Sequence, residues 1–170
     1  DAVAEQLTAE AGAEALFKGV KSPMAKRPFP GCICASINEQ VVHGIPSDKV
    51  VLKEGDILSI DYGARLNGYC GDAAVTIGIG RIDEGKRQLM EITRGVLELA
   101  ISSSKAGARW SQVAKQMQHL AESAGFSVVR DFVGHGIGRE MHEEPRVPNF
   151  VSKEMLGNDF TLEEGMILAV

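Results

Sequence analysis

The stretch SIDYGARLNGYCGDAAV, residues 59–75, reads as two strands joined at Asn67-Gly68, with one aspartate on each arm. Asn-Gly between alternating strand residues signals a tight hairpin, because both residues tolerate the positive φ that a type I′ turn requires. Residues two apart on a strand share a face, so a turn near residues 66–68 sets Asp61 roughly opposite Asp72. The register stays open by one or two positions, since Gly68 could also serve as the left-handed residue of a bulge. Two carboxylates on one sheet face repel, and Leu58, Ile60 and Tyr62 make burial of the first costly. A chain gains from that arrangement mainly when a cation or a shared proton sits between them. Strand-end aspartates bonded to backbone amides or a distant arginine are the plainer alternative.

The hairpin sits in a chain of ordinary globular composition. With 170 residues, 44% hydrophobic and 24% charged, a single domain spanning 1–170 with a sizeable core is expected, and disorder is not. A net charge of −5 offers no basic field for nucleic acid, and no apolar run approaches the roughly 18 residues of a membrane span. Cys32, Cys34 and Cys70 make an odd set without a disulfide framework, and Cys32-x-Cys34 is too tight for zinc. Reduced, buried thiols suit a cytoplasmic protein.

Outward from the hairpin, the pattern alternates between helical and extended segments. Residues 2–18 carry a rough helical stripe, Val3, Leu7, Ala11, Leu16 and Phe17. Residues 32–37 and 41–46 read as strands. Asp83 caps a helix carrying Leu89, Ile92, Val96, Leu97 and Ile101, and a second helix begins at Trp110 or Ser111 and closes at Gly125. Residues 127–132 and 166–170 read as strands. The fold class is α+β, an antiparallel sheet flanked by helices.

A second constellation is Gly134-His135-Gly136-Ile137-Gly138, followed by His142-Glu143-Glu144-Pro145. Glycines on both sides of His135 suggest a bare loop where a metal or substrate could approach closely. The imidazole would reach a metal through one nitrogen while the other is oriented by a neighbour. A lone histidine among glycines is more often structural, but two of them in a chain with a carboxylate pair favour a site.

Four blocks, FPGCICASINEQVVHGIP, EGDILSIDYG, GYCGDAAV and GHGIGREMHEEPRVPNF, together resemble the type I methionine aminopeptidases. The resemblance implies the pita-bread fold and hydrolytic removal of N-terminal methionine at a centre of two divalent ions, Co, Mn, Fe or Zn. By position, it implies Asp61, Asp72 and His135 as metal ligands, His43 as a contact near the scissile amide, and His142 as a donor to the tetrahedral intermediate. Cys34, Phe29 and Met141 would line the pocket for the methionine side chain. Peptide N-termini are the implied partners, with the ribosome as a further one, no direct nucleic-acid contact, no membrane and a monomeric state. Lys26 and Cys70 depart from the pattern, standing where an aromatic and a histidine are common.

The family's other two ligands are glutamates expected beyond Val170, one of them directly after the strand that ends there. The opening helix also looks short, so the expectation is a trimmed chain with an incomplete C-terminal half. Two other readings stay open: a catalytically silent pita-bread binding module, and a proline-specific peptidase of the same fold.

Overall fold

The computed structural model describes residues 1–22 and 26–170. They form two compact units, residues 1–86 with 138–141, and residues 87–137 with 142–170.

The first unit is built on the hairpin. Strand β3 (Ile57–Leu66) and strand β4 (Tyr69–Gly78) pair antiparallel along their whole lengths, after helix α1 (Ala2–Glu10) and strands β1 (Glu14–Ala15) and β2 (Cys34–Ile37). Asn67 at φ +53° and Gly68 at φ +81° make the two-residue turn, which sets Leu66 against Tyr69. The other edge of β3 carries β2 against residues 58–61 and β1 against residues 64–65. On one face Tyr62 hydrogen-bonds the Thr8 hydroxyl of α1 at 2.6 Å, which ties the helix to the sheet.

Three sequence expectations fail in this unit. The helix predicted over residues 2–18 stops at Glu10, the chain turns at Gly12 (φ +66°), and Glu14–Ala15 joins the sheet. Val3 and Leu7 of the supposed buried stripe are 70% and 59% exposed. Residues 41–46 form no strand; they are held against β2 by Gly44 and contain His43 at φ +59°.

The second unit packs helix α3 (Trp110–Ser123) against the C-terminal part of helix α2 (Glu84–Ser103). Asp83 does cap α2, accepting from the Lys86 backbone N–H at 2.9 Å. Trp110, Val113, Ala114, Met117 and Ala121 recur at helical spacing and are all buried. Around them close Ala100, Val147, Met155 and Leu162. Trp110 is fully buried, stacks on Phe160 with centroids 6.0 Å apart, and donates its indole N–H to Pro148 O at 2.8 Å. The face of α2 that packs is Val96, Leu99 and Ala100, so the expected Leu89, Leu97 and Ile101 are left exposed. Residues 127–132 are not a strand, and the last strand is only β7 (Leu168–Ala169). A three-stranded antiparallel sheet runs in the order β6 (Glu143–Val147), β5 (Gly134–Gly136), β7, and a short helix α4 (Lys153–Gly157) follows β6 in the chain. Among the described residues no helix is long and apolar enough to cross a membrane.

The start of α3 is capped from a distance. Its N-cap residue, Arg109, makes no side-chain cap, and the open Ser111 N–H instead donates to Asp159 Oδ1 at 2.9 Å. Asp159 Oδ2 also accepts from Ser111 Oγ at 2.7 Å and from Arg109 Nε at 2.9 Å. Burial pushes this carboxyl up, but the Ser111 and Arg109 hydrogen bonds outweigh it and hold Asp159 below its ordinary 3.8. A depressed carboxyl stabilises the fold above its ordinary range and loses that contribution as pH falls below it. Asp159→Ala should cost about 2 kcal/mol at pH 7. Denaturant titrations of both proteins should show the gap closing as pH drops through that range.

Candidate metal and substrate site

The hairpin register decides what the aspartates can do. Asp61 pairs with Ala74 and Asp72 with Gly63, so the two acids are diagonal neighbours, two positions off direct opposition. Directly opposed residues share a face, as do residues two apart, so both side chains still project from the same side. Their carboxyls are in hydrogen-bond contact, and burial followed by the charge of Asp72 pushes Asp61 up to about 6. A backbone hydrogen bond from Tyr62 offsets this only in part. The raised value reflects the cost of holding two carboxylates close together on a partly buried face. Two hard oxygen donors brought together in this way fit a divalent ion, whose charge would offset their repulsion.

Cys34 lies directly across from Asp61 on β2 and on the same face, with 4% of its surface exposed. Burial, then Asp61 and Asp72, push its thiol up to about 11, against a smaller opposing effect of the His43 backbone hydrogen bond. The thiol stays neutral and lines the site; it is no nucleophile.

Next to the acids, β3 has a bare spot at Gly63. A Cβ there would meet Phe17 Cε1 at 2.8 Å and Met141 Cε at 2.9 Å, so these two side chains cover the strand beside the carboxylates. Met141 is a residue that the resemblance implies for the site; Phe17 is not, since its spacing matches the helical stripe of residues 2–18. The signal was available in Gly63 itself, since a glycine inside a strand marks close approach by another group. Phe29 is half-buried and joins the segment after β1 through hydrogen bonds with Gly19 and Val20. His43 is exposed and sits beside Cys34 through its backbone.

In the second unit, His135 is not on a loop. It is the middle residue of β5, paired with Arg146 of β6 and Ala169 of β7, and β5 is the central strand. Its flanking glycines serve backbone approach: a Cβ at Gly134 would lie 2.2 Å from Ala169 O, and one at Gly136 2.3 Å from Glu144 O. The His135 Nδ1–H donates to Gly136 O at 2.9 Å, a contact that sets the tautomer and orients the ring. His142 stands with its ring centroid 4.3 Å from that of His135, the planes inclined at 50°. Each unit thus brings two of the expected residues together, Asp61 with Asp72 and His135 with His142. Among the described residues no group of three or more His, Cys, Asp or Glu is gathered closely enough to hold a metal ion.

Comparison with known proteins agrees with this chemistry. The description of metallopeptidase family M24 matches residues 2–170. The methionine aminopeptidase of Clostridium acetobutylicum is 45% identical over 170 residues, which is 100% of this chain and 64% of that protein. The crystal structure of methionine aminopeptidase from Thermotoga maritima matches with TM-score 0.86 at 42% identity, covering 98% of this chain and 63% of that one. An X-Pro aminopeptidase from the same organism matches less well, with TM-score 0.68 at 27% identity over 81% of this chain and 38% of that one. The chain spans about 64% of the length of the curated methionine aminopeptidase it matches.

Proposed function

This chain belongs to metallopeptidase family M24 and has its pita-bread fold, and from that premise we propose that the protein carrying it removes N-terminal methionine from peptides and nascent chains. The observation that carries the reading is the Asp61–Asp72 pair, two carboxylates drawn into contact on one sheet face. Greater likeness to methionine aminopeptidase than to the X-Pro enzyme, 42% against 27% identity, supports methionine over proline specificity. A binding module without catalysis would have no need of a strained acid pair.

Asp61 and Asp72 would serve as carboxylate ligands and His135 as a nitrogen ligand for two divalent ions, drawn from Co, Mn, Fe or Zn. Ions bound there supply Lewis-acid polarisation of the scissile carbonyl and a water activated at neutral pH. His43 donates a hydrogen bond near the scissile amide, and His142 donates one where negative charge develops on the carbonyl oxygen. Cys34, Phe29 and Met141, with Phe17 beside Met141, bound an apolar pocket suited to an unbranched thioether side chain. The setting we assign is cytoplasmic and monomeric, with peptide N-termini emerging at the ribosome as the substrate source.

Cleavage of Met-Ala-Ser against Ala-Pro-Ser tests this. The protein carrying this chain, supplied in turn with Mn(II), Co(II), Fe(II) and Zn(II), should release methionine from the first and leave the second intact. Release of alanine from the second, or no methionine with any metal, would overturn the proposal.

A further inference from the structure

The geometry points to Ser36 as the positioning residue for His43, an assignment that rests on His43 acting at the substrate as proposed above. Ser36 is a buried polar side chain, 3% exposed, on β2 two residues past Cys34. Its Oγ accepts the Gly44 N–H at 3.0 Å, and the neighbouring Ala35 N–H donates to Gly44 O at 2.8 Å. Both polar groups of Gly44 are thereby tied to consecutive residues of β2. The contact is backbone on backbone, since a Cβ at Gly44 would lie 2.2 Å from Ala35 O. One residue earlier, the His43 backbone is hydrogen-bonded to Cys34.

His43 itself pays for this placement with a left-handed backbone, φ +59°. A non-glycine residue stays in that region only when its surroundings over-determine it, and such residues gather at functional sites. The Ser36 hydroxyl is the side-chain part of that constraint. Without it the buried Gly44 N–H loses its acceptor, a cost comparable with the strain at His43, so the turn becomes free to relax. Ser36 thus acts through Gly44 on the direction in which the His43 imidazole is presented, and touches no substrate. Positional errors near 1 Å in such a group lower turnover steeply.

The test is a mutant cycle on the metal-loaded protein with Met-Ala-Ser. Ser36→Ala should lower kcat about tenfold with KM changed less than about twofold, while Ser36→Thr, which keeps the acceptor, should stay within about threefold of wild type. In a His43→Ala background, Ser36→Ala should have no more than about a twofold further effect, because the residue it positions is gone. A Ser36→Ala protein with wild-type kcat overturns the assignment, and so does an undiminished tenfold loss in the His43→Ala background. A Ser36→Thr protein that melts like wild type but loses as much activity as Ser36→Ala overturns it too. Wild-type protein that releases no methionine overturns the proposed function itself, an outcome distinct from all of these.

Discussion

Asp61→Asn is expected to abolish methionine release while making the metal-free fold more stable. Loss of one charged ligand removes transition-state stabilisation of several kcal/mol, and about 4 kcal/mol corresponds to about a thousandfold in rate. The stability effect runs the other way, and its sign follows from the raised carboxyl. Asp61 has an ordinary value of 3.8 and is pushed up to about 6 in the fold. The folded state therefore holds a proton that the unfolded chain releases, so stability falls as pH rises between those two values. Taken whole, the gap is worth about 3 kcal/mol; discounted for the partial exposure of the site, it is about 1–2 kcal/mol. Asparagine keeps a hydrogen bond to Asp72 and carries no charge, so the variant should escape the loss and exceed wild type at pH 7.5 without metal. With Mn(II) added the order should reverse, because only wild type gains the binding energy. Thermal melts at pH 4.5 and 7.5, with and without Mn(II), read all of this. A variant that keeps more than about a tenth of wild-type turnover, or whose melting point rises with Mn(II) as much as that of wild type, would show that Asp61 is no ligand.

Much of the first unit was legible because its signals are local. Asn67-Gly68 names the turn, and the period-two arms on either side name the strands. The offset of two positions falls within the register that the sequence leaves open; with Asn67 and Gly68 both at positive φ, Leu66 faces Tyr69 and the offset follows. An even offset preserves the face, so the two acids still meet. Where a segment's conformation is set by a distant partner, the sequence misled. Residues 41–46 look like a strand because Val41, Val42 and Ile45 are β-formers, yet Ser36 and Ala35 capture Gly44 and leave no ladder for the rest. Residues 127–132 likewise contain β-formers, Val128, Val129 and Phe132, yet the chain bends over residues 130–132 and forms no strand there. The cap of α3 was invisible for the same reason, since Asp159 lies 48 residues from the amide it accepts from.

The most instructive misreading concerns His135, and it leads to the second large effect. Glycines around a histidine suggest a bare loop, whereas Gly134 and Gly136 let β6 and β7 close on β5 from both sides. Gly134→Ala tests that. The added Cβ would sit 2.2 Å from Ala169 O and 3.1 Å from Val147 O, atoms of the two flanking strands. Neither is the end of a flexible side chain, so room can be made only by moving a strand and weakening the ladder that holds His135. A cost of about 3 kcal/mol is expected, or about 6–12 °C in melting temperature for a chain of this size. Gly157→Ala is the matched control: it lies at the end of α4 with nothing within 4 Å of an added Cβ, so it should be neutral or stabilise by up to about 1 kcal/mol. The distinguishing signature is in metal affinity. If His135 is a ligand aimed by the ladder, Gly134→Ala should weaken Mn(II) binding measured below the melting temperature, where the protein is still folded, while Gly157→Ala leaves it unchanged. A Gly134→Ala protein that melts within about 2 °C of wild type would mean the strands can part without cost, and the rigid presentation of His135 would have to be given up.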